Sequence, residues 1–189
     1  MPWFVAFIDG EPDFRVIRRN GFVDAVNRRK CWLCGQPMGS FAAFVVGPMC
    51  AVNRVSAEPP SHRECAEFAV RACPFLVRPQ AARRKAKLPV ETEEGAGTMI
   101  ERNPGVTLLW ISRRWKPFRD GDKGYLIDVG EPTETLWFRE GRRATRAEIL
   151  DSIESGLPLL RDMARQEGYP AEVELRRHVD RAMLLLPAA

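Results

Sequence analysis

Short apolar runs separated by turn residues organise the first 78 positions of the chain. Four of these runs are rich in β-branched and aromatic side chains, which predicts strands. They cover residues 3–8, 14–17, 41–46 and 50–55, the last being the weakest. Asp9-Gly10 between the first two runs predicts a hairpin, and Pro12 indicates a loop longer than two residues.

Two helices are predicted in the same part of the chain. Asn20 is a suitable N-cap for a short helix that ends at the basic residues 28–30. That helix would place Phe22, Val23 and Val26 on one face. Ser61 and Glu64 have the spacing of a capping box, so a second helix is predicted from residue 61 to about residue 72.

The second part of the chain has strands first and helices afterwards. Strands are predicted over residues 106–112, 125–129 and 135–139. A capping box at Thr145 and Glu148 predicts an amphipathic helix that buries residues 149, 150 and 153. Gly156 is expected to break or kink it, and a second helix is predicted over residues 157–167, with Pro158 in its first turn and Gly168 after its end. The last helix is predicted over residues 171–186, and the whole pattern is that of an α+β protein.

A segment poor in large apolar residues, 78–97, runs from a basic block to an acidic block. It predicts a boundary near residue 90 between two domains. Residues 1–90 would form a zinc-binding, treble-clef-like domain, and residues 91–189 an α+β domain with a small antiparallel sheet and C-terminal helices.

Charge and composition narrow the class of protein. Hydrophobic residues make up 45% of the 189 residues, which predicts a folded chain. Residues 1–90 have a net charge of +7, from 14 Lys/Arg and 7 Asp/Glu, whereas residues 91–189 have a net charge of −3. This asymmetry is compatible with nucleic-acid binding or with ordinary solvated faces. Neither a signal peptide nor a membrane span is evident, so we expect a cytoplasmic protein.

Two pairs of metal-ligating residues carry the clearest chemistry. Cys31-x-x-Cys34 precedes a glycine, and His62-x-x-Cys65 has the spacing of two ligands on one face of a helix. They predict one structural Zn²⁺. The alternatives are free cysteines that pack as small hydrophobic residues, or an iron–sulfur cluster that uses other cysteines. Cys50 and Cys73 are expected in the core or near the site, since Cys73 lies about 12 Å along a helix from Cys65.

A knuckle, a hairpin and two ligands at a helix start follow one another in the order of a treble-clef finger. Residues 31–74 resemble the treble-clef scaffold of HNH, or His-Me finger, endonucleases. The resemblance implies a catalytic histidine in the hairpin strand, but residues 43–48 contain neither a histidine nor a carboxylate. Asn53 matches the asparagine of that family, and His178 lies in the last predicted helix. The rest of the chain resembles uncharacterised bacterial or phage proteins.

A second candidate site interleaves basic and aromatic residues. It consists of Arg113, Arg114, Trp115, Lys116 and Arg119, a composition suited to phosphates and to stacking on bases. The alternative is a strand end with its charges in solvent. A nearby acidic group at residues 120, 122, 128 and 131 lacks the later ligands of an EF-hand loop.

These features favour a non-catalytic zinc-binding protein that binds a macromolecular partner, either a nucleic acid or another protein. One alternative is a divergent metal-dependent nuclease, for which a general base of the usual type is missing. The other is a phage-type interaction or assembly protein in which zinc stabilises a small fold. The partner and the oligomeric state are not predicted by the sequence.

Overall fold

The computed structural model describes residues 1–78, 81, 103–122 and 124–188. Its strands are β1 (Val5–Ile8), β2 (Glu11–Ile17), β3 (Ala42–Val46), β4 (Val55–Ser56), β5 (Thr107–Ser112), β6 (Lys116–Arg119), β7 (Tyr125–Asp128), β8 (Pro132–Arg139) and β9 (Arg142–Arg143). Its helices are α1 (Gly21–Asn27), α2 (Pro48–Asn53), α3 (Arg63–Ala72), α4 (Pro74–Val77), α5 (Arg146–Glu167) and α6 (Tyr169–Met183). The architecture is mixed α+β with antiparallel sheets and C-terminal helices, as predicted.

The strands form three antiparallel sheets. The largest has the order β3-β5-β8-β9, the second has the order β4-β7-β6, and β1 pairs with β2. In the largest sheet, Phe44 of β3 is opposite Trp110 of β5. The boundary predicted near residue 90 lies outside the described residues. On either side of it, the described residues share one sheet and one core.

Strand β5 is the centre of the core because both of its faces are buried. Leu108 and Trp110 face one side, where Ile149 and Ile153 of α5 join the same cluster. On the other side, Leu109 belongs to a cluster that contains residues of α3. The sheet is therefore covered by α5 on one face and by α3 on the other.

The helix predicted to break near Gly156 is continuous. Helix α5 runs through both Gly156 and Pro158, so the predicted second helix is wrong. Gly156 instead allows close approach of α2, because a Cβ atom there would lie 2.8 Å from Sδ of Met49. Pro158 is exposed while Leu157 and Leu160 are buried, so packing holds the helix together where the proline removes one backbone hydrogen bond. The capping box at Thr145 is confirmed.

Two predictions in the first half are also corrected. Residues 50–53 are helical, not extended, because Gly47 is an extended N-cap and Pro48 suits the first helical position. The predicted hairpin of residues 41–55 is therefore not formed, and β3 pairs with β5 instead. The β1–β2 turn has a two-residue loop despite Pro12, since Asp9 and Gly10 both adopt positive φ angles.

No helix in the described part of the chain has both the length and the apolar character needed to cross a membrane.

Candidate metal centre

The first pair of cysteines lies in a tight turn that begins after α1. Lys30 and Pro37 form an isolated antiparallel bridge at its base, and the amide of Gly35 donates to the carbonyl of Cys31 at 2.8 Å. Gly35 has a φ of +73°, and a Cβ atom there would overlap the ring of Trp3. Only glycine fits this turn without displacing that ring, so the backbone itself directs Cys31 and Cys34 toward one point.

The second pair is placed by a strand bridge. Ser61 exchanges two backbone hydrogen bonds with Ala43 of β3, at 2.8 and 2.9 Å. With its backbone committed to this bridge, Ser61 does not cap α3, and the predicted capping box with Glu64 is wrong. His62 is the N-cap instead, with no side-chain capping bond. Its imidazole is therefore free to face the cysteines, together with Cys65 in the first turn.

The four predicted ligands meet at one position. The donor atoms of Cys31, Cys34, His62 and Cys65 all lie within 4.8 Å of one another. Nδ1 of His62 is 3.3 Å from Sγ of Cys34 and 4.0 Å from Sγ of Cys65. Zn–S bonds of about 2.3 Å in a tetrahedron imply S···S separations of about 3.8 Å. The observed spacing therefore fits one tetrahedral ion.

Neighbouring groups orient these ligands. Nε2 of His62 is 2.9 Å from the carbonyl oxygen of Pro37, a geometry in which Nε2–H donates and Nδ1 keeps its lone pair for a metal. The amides of Cys34 and His62 donate to Sγ of Cys31 at 3.5 and 3.3 Å. Cys31 is completely buried and Cys34 is exposed, so the site lies at the surface with one ligand in the interior.

The pKa shifts of Cys31 and Cys65 are consistent with a cation site. Burial raises the pKa of Cys31, but amide donors from Cys34, His62 and Leu33 outweigh it and lower the pKa to about 7. Burial, followed by the charge of Cys31, raises the pKa of Cys65 to about 12. A charge on Cys31 thus disfavours ionisation of Cys65, and a divalent cation would offset that repulsion.

The other two cysteines do not belong to this group. Cys50 lies in α2 against the main core, and Cys73 follows the last residue of α3. Neither is among the clustered ligands in the described part of the chain, so the iron–sulfur alternative gains no ligand from them.

The acidic residues of the second part have other roles. Glu131 forms ion pairs with Arg54 at 2.8 Å and with Arg181 at 3.0 Å, joining the end of α2 to α6. Asp128 accepts a hydrogen bond from the amide of Gly130. Within the described ranges they do not form a metal-ligating group.

The residues predicted to bind nucleic acid are not at the metal centre. Arg113 lies over the ring of Phe41 at 4.6 Å, and Trp115 packs edge-on against Phe44. Arg114, Lys116 and Arg119 are exposed, the last two in β6. Their binding role stays a prediction.

Arg29, two residues after the end of α1, lies over the ring of Trp115 at 5.4 Å. The contact between these two segments is not predicted by the sequence pattern. The sequence feature that the two segments share is that each lies in a stretch without Asp or Glu, residues 25–57 and residues 103–119.

Comparisons of the chain with family models, with curated proteins and with solved structures give no match.

Proposed function

We propose that the chain is a zinc-binding protein whose Cys31, Cys34, His62 and Cys65 hold one structural Zn²⁺. The observation that carries this proposal is the convergence of three sulfur atoms and Nδ1 of His62 within 4.8 Å. Three thiolates and one imidazole form a ligand set that zinc prefers over magnesium or calcium, which take oxygen ligands.

The arrangement favours a structural role over a catalytic one. Structural zinc sites use four protein ligands, whereas catalytic sites keep one position for water or substrate. All four positions of the tetrahedron are provided here by side chains. These four ligands connect the knuckle to the start of α3. The two segments otherwise meet through few backbone hydrogen bonds, such as that from the amide of Trp32 to the carbonyl of Pro60 at 3.0 Å.

The treble-clef description is part of this proposal, in a modified form. The knuckle and the helix that carries two ligands are present, and the bridge between Ala43 and Ser61 takes the place of the hairpin. Residues 48–53, where the HNH resemblance expects a hairpin strand, are helical. We therefore favour a non-catalytic protein in which zinc holds a surface that binds a macromolecular partner.

Metal analysis of two histidine variants tests this proposal. The purified protein should contain about one zinc per chain, and Co²⁺ substitution should give the visible absorption of a tetrahedral thiolate site. His62→Ala should lose or strongly weaken both signals. His178→Ala is the matched control, because His178 lies in α6, outside the cluster, and it should retain both. Equal metal content in the two variants, or no metal in the wild type, would refute the proposal.

A further inference from the structure

Two stretches of chain without carboxylates come together in the fold. Residues 25–57 and 103–119 contain no Asp or Glu, yet they include four basic residues each. Strand β3 belongs to the first stretch and β5 to the second, and the two strands pair over the whole length of β3. The fold thus brings together two positive segments, one containing Arg29 and the other Arg113, that are distant in the sequence.

Aromatic rings hold two arginines at this junction. The guanidinium of Arg29 lies 5.4 Å from the ring centre of Trp115, and that of Arg113 lies 4.6 Å from the ring centre of Phe41. A cation–π contact orients a guanidinium without neutralising its charge. Both groups therefore keep N–H donors and a full positive charge for a ligand.

These two arginines differ from many others in the chain, which form ion pairs with carboxylates. Arg63 and Arg142, for example, are bound by carboxylates at 2.6 and 2.5 Å. We define the basic surface by the members of the junction that have no carboxylate within 4 Å among the described residues. They are Arg29, Lys30, Arg113, Arg114 and Lys116.

Nearby acidic residues are largely committed elsewhere. Asp24 pairs with Arg18 at 2.7 Å and with Arg28 at 3.8 Å. Asp128 is in register with Lys116, and its carboxylate accepts the amide of Gly130. The basic surface therefore keeps most of its positive charge.

Exposed aromatic rings border the basic surface. Phe41 is 43% exposed although Arg113 lies over its ring, and Phe118 is 36% exposed. Phe118 is two residues beyond Lys116 on β6, which places both on the same face of the strand. Positive side chains beside exposed rings are the combination that single-stranded nucleic acids bind, with phosphates on the cations and bases stacked on the rings.

We propose that the basic surface binds single-stranded nucleic acid without sequence preference. This inference rests on the proposed function, since it identifies the macromolecular partner of the zinc-stabilised fold. Lys30 directly precedes Cys31, so the metal centre and the basic surface share one segment of backbone. Zinc supports the surface, and the arginines, lysines and rings contact the ligand.

Fluorescence anisotropy with a labelled oligo-dT strand tests the proposal on the zinc-loaded protein. Each phosphate contact to a single strand contributes about −0.7 to the slope of log K against log salt, so five contacts predict a slope of about −3.5. The double variant Arg29→Gln/Arg113→Gln should reduce it to about −2.1 and weaken binding at least tenfold at low salt. Arg143→Gln is the matched control, because Arg143 is also held over a ring, that of Phe138, on the far strand β9.

Three further arms make the test decisive. Phe118→Ala should weaken binding roughly tenfold while leaving the salt slope unchanged, since it removes a stacking ring and no charge, whereas Phe41 also orients Arg113. Because Arg29 and Arg113 pack on rings, Arg114→Gln/Lys116→Gln provides a second charge variant should the first not fold. A duplex of the same length should compete less well than the single strand.

Three results would overturn the inference. They are no binding at low salt, equal losses in Arg143→Gln and in the double variant, or preference for the duplex. No oligonucleotide binding by a protein that carries one zinc per chain would leave the zinc proposal intact, so the two failures are distinguishable.

Discussion

Replacement of one metal ligand should lower thermal stability by an amount set by zinc linkage. Cys65→Ser removes one of the four donors, whose sulfur lies 4.0 Å from Nδ1 of His62, and puts a poorly coordinating hydroxyl in its place. With free zinc at about 1,000 times the Kd, binding stabilises the fold by about 4 kcal/mol. For a chain of this size each kcal/mol shifts Tm by about 2–4 °C. The variant should therefore melt about 8–16 °C below the wild type.

The matched control is Cys73→Ser, which makes the same chemical change at the other end of α3, outside the cluster. Its Tm should stay within a few degrees of the wild-type value and should keep the wild-type response to zinc. Circular dichroism melts in excess Zn²⁺ and in chelator, with zinc content measured in parallel, provide the comparison. If Cys65→Ser retains a full zinc and the wild-type Tm, the four residues do not form the site that we infer.

Three other changes probe the rest of the fold. Gly156→Ala should leave the stability within about 1 kcal/mol of wild type, because the new Cβ, 2.8 Å from Sδ of Met49, displaces a flexible side chain while alanine improves helix propensity; a double-mutant cycle with Met49→Ala measures that coupling. Asn103→Ala should lower the free energy of unfolding in urea by about 2–3 kcal/mol, since Nδ2 of the buried Asn103 donates to the carbonyls of Leu76 and Arg78 and its Oδ1 accepts the N–H of Gly105 at 2.7 Å. A hydrogen bond from Arg142, followed by the capping amide, lowers the pKa of Glu148 from 4.5 to about 2. Its stabilising effect is thus fully present above pH 4.5 and is lost as pH falls toward 2, so urea midpoints of Glu148→Gln should vary less over that range than those of the wild type.

The metal ligands could be predicted from sequence because the chemistry is local. A knuckle needs two cysteines and a glycine within five residues, and the second pair needs only a helix start. The details of that start could not be predicted. Ser61 and Glu64 satisfy the capping-box pattern, but the bridge to Ala43 uses the backbone of Ser61, and the helix begins two residues later. A tertiary contact thus overrode a local preference.

Long-range pairing accounts for most of the other differences. The apolar run after Pro48 has no clear period, so strand and helix could not be distinguished from it. The partner of β3 lies beyond the segment at 78–97, and nothing local to β3 identifies β5. Strand β6 has four exposed residues, including a proline, and carries no strand pattern. Its pairing with β7 is what makes it extended.

The position of β3 at a sheet edge links the zinc centre to the solubility of the protein. It is an edge of the four-stranded sheet, and among the described residues its outer side is covered by one bridge, to Ser61, next to the ligand His62. The chain from residue 31 to residue 53 contains no charged side chain, so nothing in it repels a second chain. Metal removal loosens the residue that covers this edge, and we expect chelated protein to self-associate by strand addition, which light scattering would detect. Bound zinc would then prevent self-association of the protein.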